Sequence, residues 1–99
     1  MPSVRLPAMM KFYVNGQNEV FIHAATLSEL VENLVEQYPR LKPHLLDDQG
    51  NLRRYFNFFI NGVHVRDLEG MQTALKDQDR IILMASAAGG IFALTNRIS

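Results

Sequence analysis

The chain has no cysteine, which removes disulfides, thiolate metal ligands and a cysteine nucleophile from its chemistry. It has no excess charge of either sign. Ten Lys and Arg balance ten Asp and Glu, so there is no global basic field to hold a nucleic acid backbone, and no nucleic acid partner is expected. Histidine is scarce: His23, His44 and His64 stand about twenty residues apart without an i, i+4 pair, so no metal site is expected. The start of the chain lacks a long apolar run behind a positive segment and does not resemble a secretory signal, which leaves the cytoplasm as the expected location. Residues 81–94 are apolar apart from Ser86, but a spanning helix needs roughly 20 such residues. The glycine pair within the stretch argues further against a continuous helix, and no membrane association is expected.

What is present suits one folded domain. The chain has 99 residues, 47% of them apolar and 20% charged, which is too apolar for disorder and too short for two cores. Residues 26–38 carry Leu27, Leu30, Val31, Leu34, Val35 and Tyr38 at helical spacing, with Glu32, Asn33, Glu36 and Gln37 on the other face. Thr26 and Glu29 form a T-x-x-E capping box, and Pro39 disfavours helical geometry at Tyr38. An amphipathic helix of this length needs a surface to lie on, and the remaining apolar segments read as strands.

Residues 19–24 alternate Val20, Ile22 and Ala24 against Phe21 and His23 with period two. Ahead of them, Asn15-Gly16 is a hairpin dipeptide that would pair a strand near residues 9–14 with them. Residues 3–6, alternating around Arg5, compete for the role of first strand. The expectation is ladder for the earlier segment and partial loop for the later one. After the helix, residues 39–51 read as a short helical turn and a loop, and residues 55–61 alternate Phe56, Phe58 and Ile60 against Asn57 and Phe59. Asn61-Gly62 then turns into a short strand over residues 63–66, and residues 80–85 make the last strand. The order ββαβββ predicts an α+β fold, a mixed sheet of four to five strands packed on one main helix. This is the β-grasp, or ubiquitin-like, pattern.

Past the last strand, residues 85–90 contain nothing larger than alanine or serine and end in Gly89-Gly90. Two glycines can pass through a channel too narrow for a Cβ, so a terminus of this shape can enter another enzyme's active site. A Gly-Gly turn into a further strand is the structural alternative.

Asn57-Phe58-Phe59-Ile60-Asn61-Gly62, Val65-Arg66, Leu68-Glu69-Gly70, Thr73, Leu75-Lys76-Asp77, Asp79 and Ala88-Gly89-Gly90 resemble, in register, the pattern of bacterial sulfur carriers of the ThiS/MoaD type, especially the MoaD-like and CysO-like members. The resemblance implies a cosubstrate rather than an enzyme. A ubiquitin-activating-type adenylating enzyme would use ATP to activate the carboxylate of Gly90, which is then converted to a thiocarboxylate. A sulfur-accepting synthase would receive the sulfur for cysteine, molybdopterin, thiazole or a related product. No cofactor is expected on the chain itself, and the absence of cysteine fits a sulfur borne on the terminal carboxyl.

The family ends at Gly-Gly, whereas here residues 91–99 come after it. The expected organisation is a domain over residues 1–90 with a flexible Gly-Gly tail, and an extension over 91–99 removed on maturation. By resemblance, a JAMM-type metalloprotease would cut between Gly90 and Ile91. Two rivals stay open: Phe92, Leu94 and Ile98 pack on the domain and leave a noncovalent adaptor, or the extension is an artefact of expression or annotation. A modifier joined to lysines through Gly90 is a further alternative.

Strict alternation also turns Phe59, Arg66, Ile82 and Met84 away from the helix. That is an apolar patch with a basic rim, of the kind that marks protein interfaces, unless loops or residues 91–99 cover it. The other polar features read as scaffold. Arg53-Arg54 is a solvated edge, Asp47-Asp48 and Asp77/Asp79 accept local backbone hydrogen bonds in turns, and neither His23 nor His64 has a catalytic partner.

Overall fold

The structure, a computed structural model, describes residues 1–86. Strand β1 (Ser3–Arg5) is followed by a 3-10 helix (Ala8–Tyr13), β2 (Glu19–Phe21) and the main helix α1 (Leu27–Gln37). A 3-10 turn (Pro39–Leu41) runs into the single-turn α2 (Lys42–Leu45). Then come β3 (Phe56–Ile60), β4 (Val63–His64), two 3-10 turns (Val65–Asp67 and Gly70–Gln72) and β5 (Arg80–Ala85). The five strands form one sheet in the order β2-β1-β5-β3-β4. β1 and β5 are parallel and the other neighbours antiparallel, so the last strand in sequence is the central strand in space. This is the expected mixed sheet on one helix.

The helix begins and ends as the sequence signals. Thr26 Oγ1 accepts from the Glu29 N–H (3.2 Å), while the Glu29 carboxylate reaches back one residue further than a standard capping box and accepts from the Ala25 N–H (2.6 Å). Tyr38 has left helical geometry at φ −127°, ψ 78°. Leu27, Leu30, Val31 and Leu34 are buried against an inner sheet face made of Val4, Val20, Phe56, Phe58, Ile60, Ile81 and Leu83. Each such side chain stabilises the fold by roughly 1.5–3 kcal/mol. Among the described residues, no helix is long and apolar enough to cross a membrane.

Three segments differ from the sequence expectation. Residues 9–14 form no strand; they belong to the Ala8–Tyr13 helix and its cap. Asn15 and Gly16 do adopt the left-handed values expected of that dipeptide, φ 60° and 79°. What they close is a helix, since the Gly16 N–H donates to the Lys11 carbonyl (2.8 Å) in the manner of a Schellman cap. The reason lies in the apolar period: Met10 and Val14 are buried while Met9 and Phe12 are exposed, a spacing of four rather than two. Strand β2 stops at Phe21, although Ile22 and Ala24 continue the burial alternation. The expected strand over residues 63–66 stops at His64, because His64 Nδ1 accepts from the Arg66 N–H (3.0 Å) and caps a 3-10 turn.

Candidate functional site

Strand β5 carries the chain toward its C-terminal glycines, and its start is fixed by side chains. Asn61 and Gly62 have φ 51° and 87°, as a two-residue hairpin requires. Asn61 also reaches across the sheet. Its Nδ2 donates to Asp79 Oδ1 (2.9 Å) and its Oδ1 accepts from the Arg80 N–H (3.0 Å). Its own N–H donates to the Arg80 carbonyl (2.8 Å). Asp79 Oδ2 accepts from the Lys76 N–H (2.8 Å) and the Asp79 carbonyl from the Ser3 N–H (3.1 Å). Thr73 ties the preceding loop together, its hydroxyl donating to the Gly70 carbonyl (2.7 Å) and accepting from the Glu69 N–H (3.0 Å). The Thr73 carbonyl accepts from the Leu27 N–H (3.1 Å) at the start of α1. The asparagine, threonine and aspartate of the sequence pattern are therefore structural: they set where β5 begins. Asp47 behaves likewise, its Oδ1 accepting from the N–H groups of Gln49 and Asn51, and Arg53 donates to the Pro43 carbonyl.

At its other end β5 is extended by one further bond, from the Ser86 N–H to the Tyr55 carbonyl. Gly89, Gly90 and the expected processing site at Gly90 and Ile91 lie outside the described residues.

The outer face of the sheet brings together most of the expected docking residues. Phe59 stands directly opposite Ile82, and Met84 opposite Asn57. Ile82 is 38% exposed and Met84 51%, so both present apolar surface to solvent. The half-buried Phe59 ring meets His64 edge-on, with 5.0 Å between ring centres. The His64 Nε2 lies 3.1 Å from Asn57 Oδ1; because Nδ1 accepts, Nε2 bears the proton and donates to Asn57. Arg66 sits in the 3-10 turn beyond β4, exposed and one step past this face. The cation within the row is Arg5, whose β1 position is level with Ile82 and, on the far side, with Glu19. One row thus crosses the sheet as Glu19, Arg5, Ile82, Phe59 and His64. Sequence reasoning missed Arg5, along with Phe21 and Met9, which are also exposed. The alternation of residues 19–24 already turned Phe21 outward, but only the strand order places it beside β1.

Among the described residues, no group of three or more His, Cys, Asp or Glu side chains is placed to hold a metal ion. Among the described residues, the candidate site is a surface, the outer face of the sheet beside the end of β5. These features define a class, small ubiquitin-like β-grasp proteins whose central strand leads to the C-terminus. The ThiS family model matches residues 5–90, and the chain belongs to the ThiS family. It is homologous to the sulfur carrier protein CysO of Mycobacterium tuberculosis, 29% identical over 90 residues that make up 89% of this chain and 97% of the relative. It is 32% identical to small archaeal modifier protein 3 of Haloferax volcanii over 80 residues, 78% of this chain and 86% of that protein. In structure it matches a chain of the Amycolatopsis orientalis BexX/CysO complex with a TM-score of 0.79 at 24% identity, over 91% of this chain and 100% of that one.

Proposed function

We propose that this chain carries sulfur on Gly90, as a C-terminal thiocarboxylate formed after adenylation by a ubiquitin-activating-type enzyme. The observation that carries the reading is that the family match runs to Gly90, the residue after which the chain goes on through Ile91 to Ser99. Homology to a sulfur carrier supports the choice of sulfur as the cargo.

Chemistry then sets the order of events. The Gly90 carbonyl is held in the peptide bond to Ile91, so hydrolysis of that bond comes first, and a JAMM-type metalloprotease is the class expected to perform it. The freed carboxylate attacks the α-phosphorus of ATP and expels pyrophosphate. Hydrosulfide, or a group that supplies it, then attacks the acyl carbon; the C–O bond to AMP breaks as the C–S bond forms. A sulfur-accepting synthase takes the sulfur onward to cysteine, molybdopterin, thiazole or a related product. The chain is a cosubstrate in each step, in the cytoplasm, and ATP is bound by the partner. Docking falls to Phe59, Ile82 and Met84 with Arg5 and Arg66 beside them. That a CysO has been captured in complex with BexX supports a partner-borne activity.

The test compares the full chain with a version ending at Gly90, each mixed with the cognate adenylating enzyme and ATP. Pyrophosphate release and intact mass are followed. Only the shortened form is expected to react, and equal reaction of both without cleavage overturns the precursor reading. In the shortened form, Gly90→Val should abolish adenylation and leave the thermal midpoint in place, because a Cβ obstructs a narrow channel. A fall in the midpoint would instead make the glycines a structural turn.

A second reading, attachment to lysines through Gly90, is favoured by the kinship with an archaeal modifier. Gly-Gly remnants on cellular lysines would establish it, and their absence alongside a detected thiocarboxylate would dismiss it.

A further inference from the structure

Charge balances over the whole chain but not over its parts. Residues 6–18, 37–46 and 49–66 contain no Asp or Glu, and contacts bring parts of all three to the end of the molecule where β5 stops. A groove lined by Pro7, Met9, Met84 and Ala85 among others sets the first 3-10 helix beside that end. From this helix the Tyr13 ring stacks on His44 of α2, with ring centres 4.4 Å apart, and the Arg40 Cζ lies 5.5 Å from the Tyr13 ring centre. The Arg53 guanidinium donates to the Pro43 carbonyl (3.0 Å) and the Arg53 N–H to the Leu45 carbonyl (3.0 Å). Two residues on, the Tyr55 carbonyl accepts from the Ser86 N–H. Lys11, Arg40, Lys42, Arg53 and Arg54 are thus gathered at one end.

Among the described residues, the one ion pair joins the N-terminus to Asp77 (3.9 Å), so no carboxylate neutralises any of the five. The acidic residues nearest in sequence are Glu36 and Asp47-Asp48, and Asp47 already accepts from the Gln49 and Asn51 N–H groups. Residues 87–99 add Arg97 and no Asp or Glu. Like charges gathered in this way repel one another, and an incoming anionic surface relieves that repulsion.

We propose that Lys11, Arg40, Lys42, Arg53 and Arg54 form a docking surface for an acidic protein surface, that of the adenylating enzyme around the entrance to its active site. Charge complementarity selects an anionic occupant. Position selects this one, because the cluster lies at the end of the strand that the proposed function offers to the enzyme, and the inference rests on that reading for the identity of the partner. The cluster also adjoins the outer face of the sheet, since the groove joins Met84 to Met9, two residues before Lys11. A nucleic acid fits less well. Tyr13 and His44 cover each other's ring faces, on which bases would stack, and Met9 and Phe12, 69% and 73% exposed, are apolar surface that a phosphate backbone cannot use. Because charge acts before contact, the surface speeds correctly oriented encounter more than it tightens the finished complex.

The test measures association of the chain ending at Gly90 with the cognate adenylating enzyme by stopped flow. The rate constant should fall about 10-fold or more as salt is raised from about 0.01 M to about 1 M, where the range of charge interactions shrinks from about 30 Å to about 3 Å. The triple variant Lys11→Glu, Lys42→Glu, Arg54→Glu alters exposed side chains and leaves Arg40 and Arg53 in place, so its thermal midpoint should hold. It should associate about 10-fold or more slowly at low salt, and the difference should close at high salt. Lys42→Glu alone should slow association about 3-fold and serves in place of a triple variant that fails to fold. Exchanging the same three residues between Lys and Arg should keep the rate, and so should Lys76→Glu in the turn before β5. An unaltered rate in the triple variant overturns the proposal, as does an equal loss from Lys76→Glu and Lys42→Glu. Loss of binding to a mixed-sequence single-stranded RNA, with the enzyme rate unchanged, overturns it in favour of a nucleic acid. Pyrophosphate release at saturating chain concentration is read alongside. None from the unsubstituted shortened chain ends the carrier reading, whereas release together with an unaltered association rate in the triple variant ends this inference alone.

Discussion

The two ends of β5 are built on opposite plans. At the start, Arg80 is flanked by Asn61, Asp79 and the Ser3 pairing, with hydrogen bonds on both sides. At the finish, Ala85 is paired, among the described residues, with β3 alone, and a groove lies on the other side. A strand held firmly at one end and on one side at the other can present its C-terminal residues to a partner without loosening the sheet. Most of the polar residues that mark the family pattern serve the fixed end. The end that the proposed function offers to a partner is marked only by small residues.

The largest effect expected on this arrangement comes from Phe58→Asp. Phe58 is 1% exposed and opposite Leu83, midway between the two ends. An unpaired carboxylate there should cost more than about 4 kcal/mol and unfold the domain, visible as loss of the circular dichroism transition. Next comes Asn61→Ala, which removes the side-chain bonds to Asp79 and Arg80 and puts a Cβ-bearing residue without a polar side chain at φ 51°. A loss of about 2 kcal/mol is expected in urea unfolding. Asn61→Gly keeps the turn but not the bonds, so a smaller loss would separate the two contributions; equal losses would mean that the clamp alone matters. Smallest in stability is Phe59→Asp, on the exposed face, with a folding cost within roughly 1 kcal/mol. Binding to the adenylating enzyme should weaken by about 1–2 kcal/mol, as for an aromatic anchor, in titration calorimetry. Unfolding by Phe59→Asp but not by Phe58→Asp would show that inner and outer faces are exchanged.

The sequence made the local parts of this comparison legible and left the nonlocal ones hidden. Thr26, Glu29 and Pro39 marked both helix ends, and the alternation of Phe56, Phe58 and Ile60 against Phe59 assigned the faces of β3. Asn61-Gly62 named its own turn. Asn15-Gly16 was ambiguous because the same left-handed pair closes a hairpin or caps a helix, and the burial of Met10 and Val14 decided between them. Arg66 looked like part of the outer face until His64 capped the turn that removes it from the strand. Arg5 and the groove beside Ala85 could not be read at all. Both depend on β1 lying parallel to β5 across most of the chain's length, and no short-range pattern encodes that pairing.

The central position of β5 also has a mechanical meaning. A partner that grips the outer face and draws the C-terminus away pulls along the axis of β5. That load falls in shear on five residue pairs with β3 and three with β1 together, rather than peeling them one after another as it would at an edge strand. Under the proposed function, an enzyme that draws this terminus away would be pulling on the strand least able to yield.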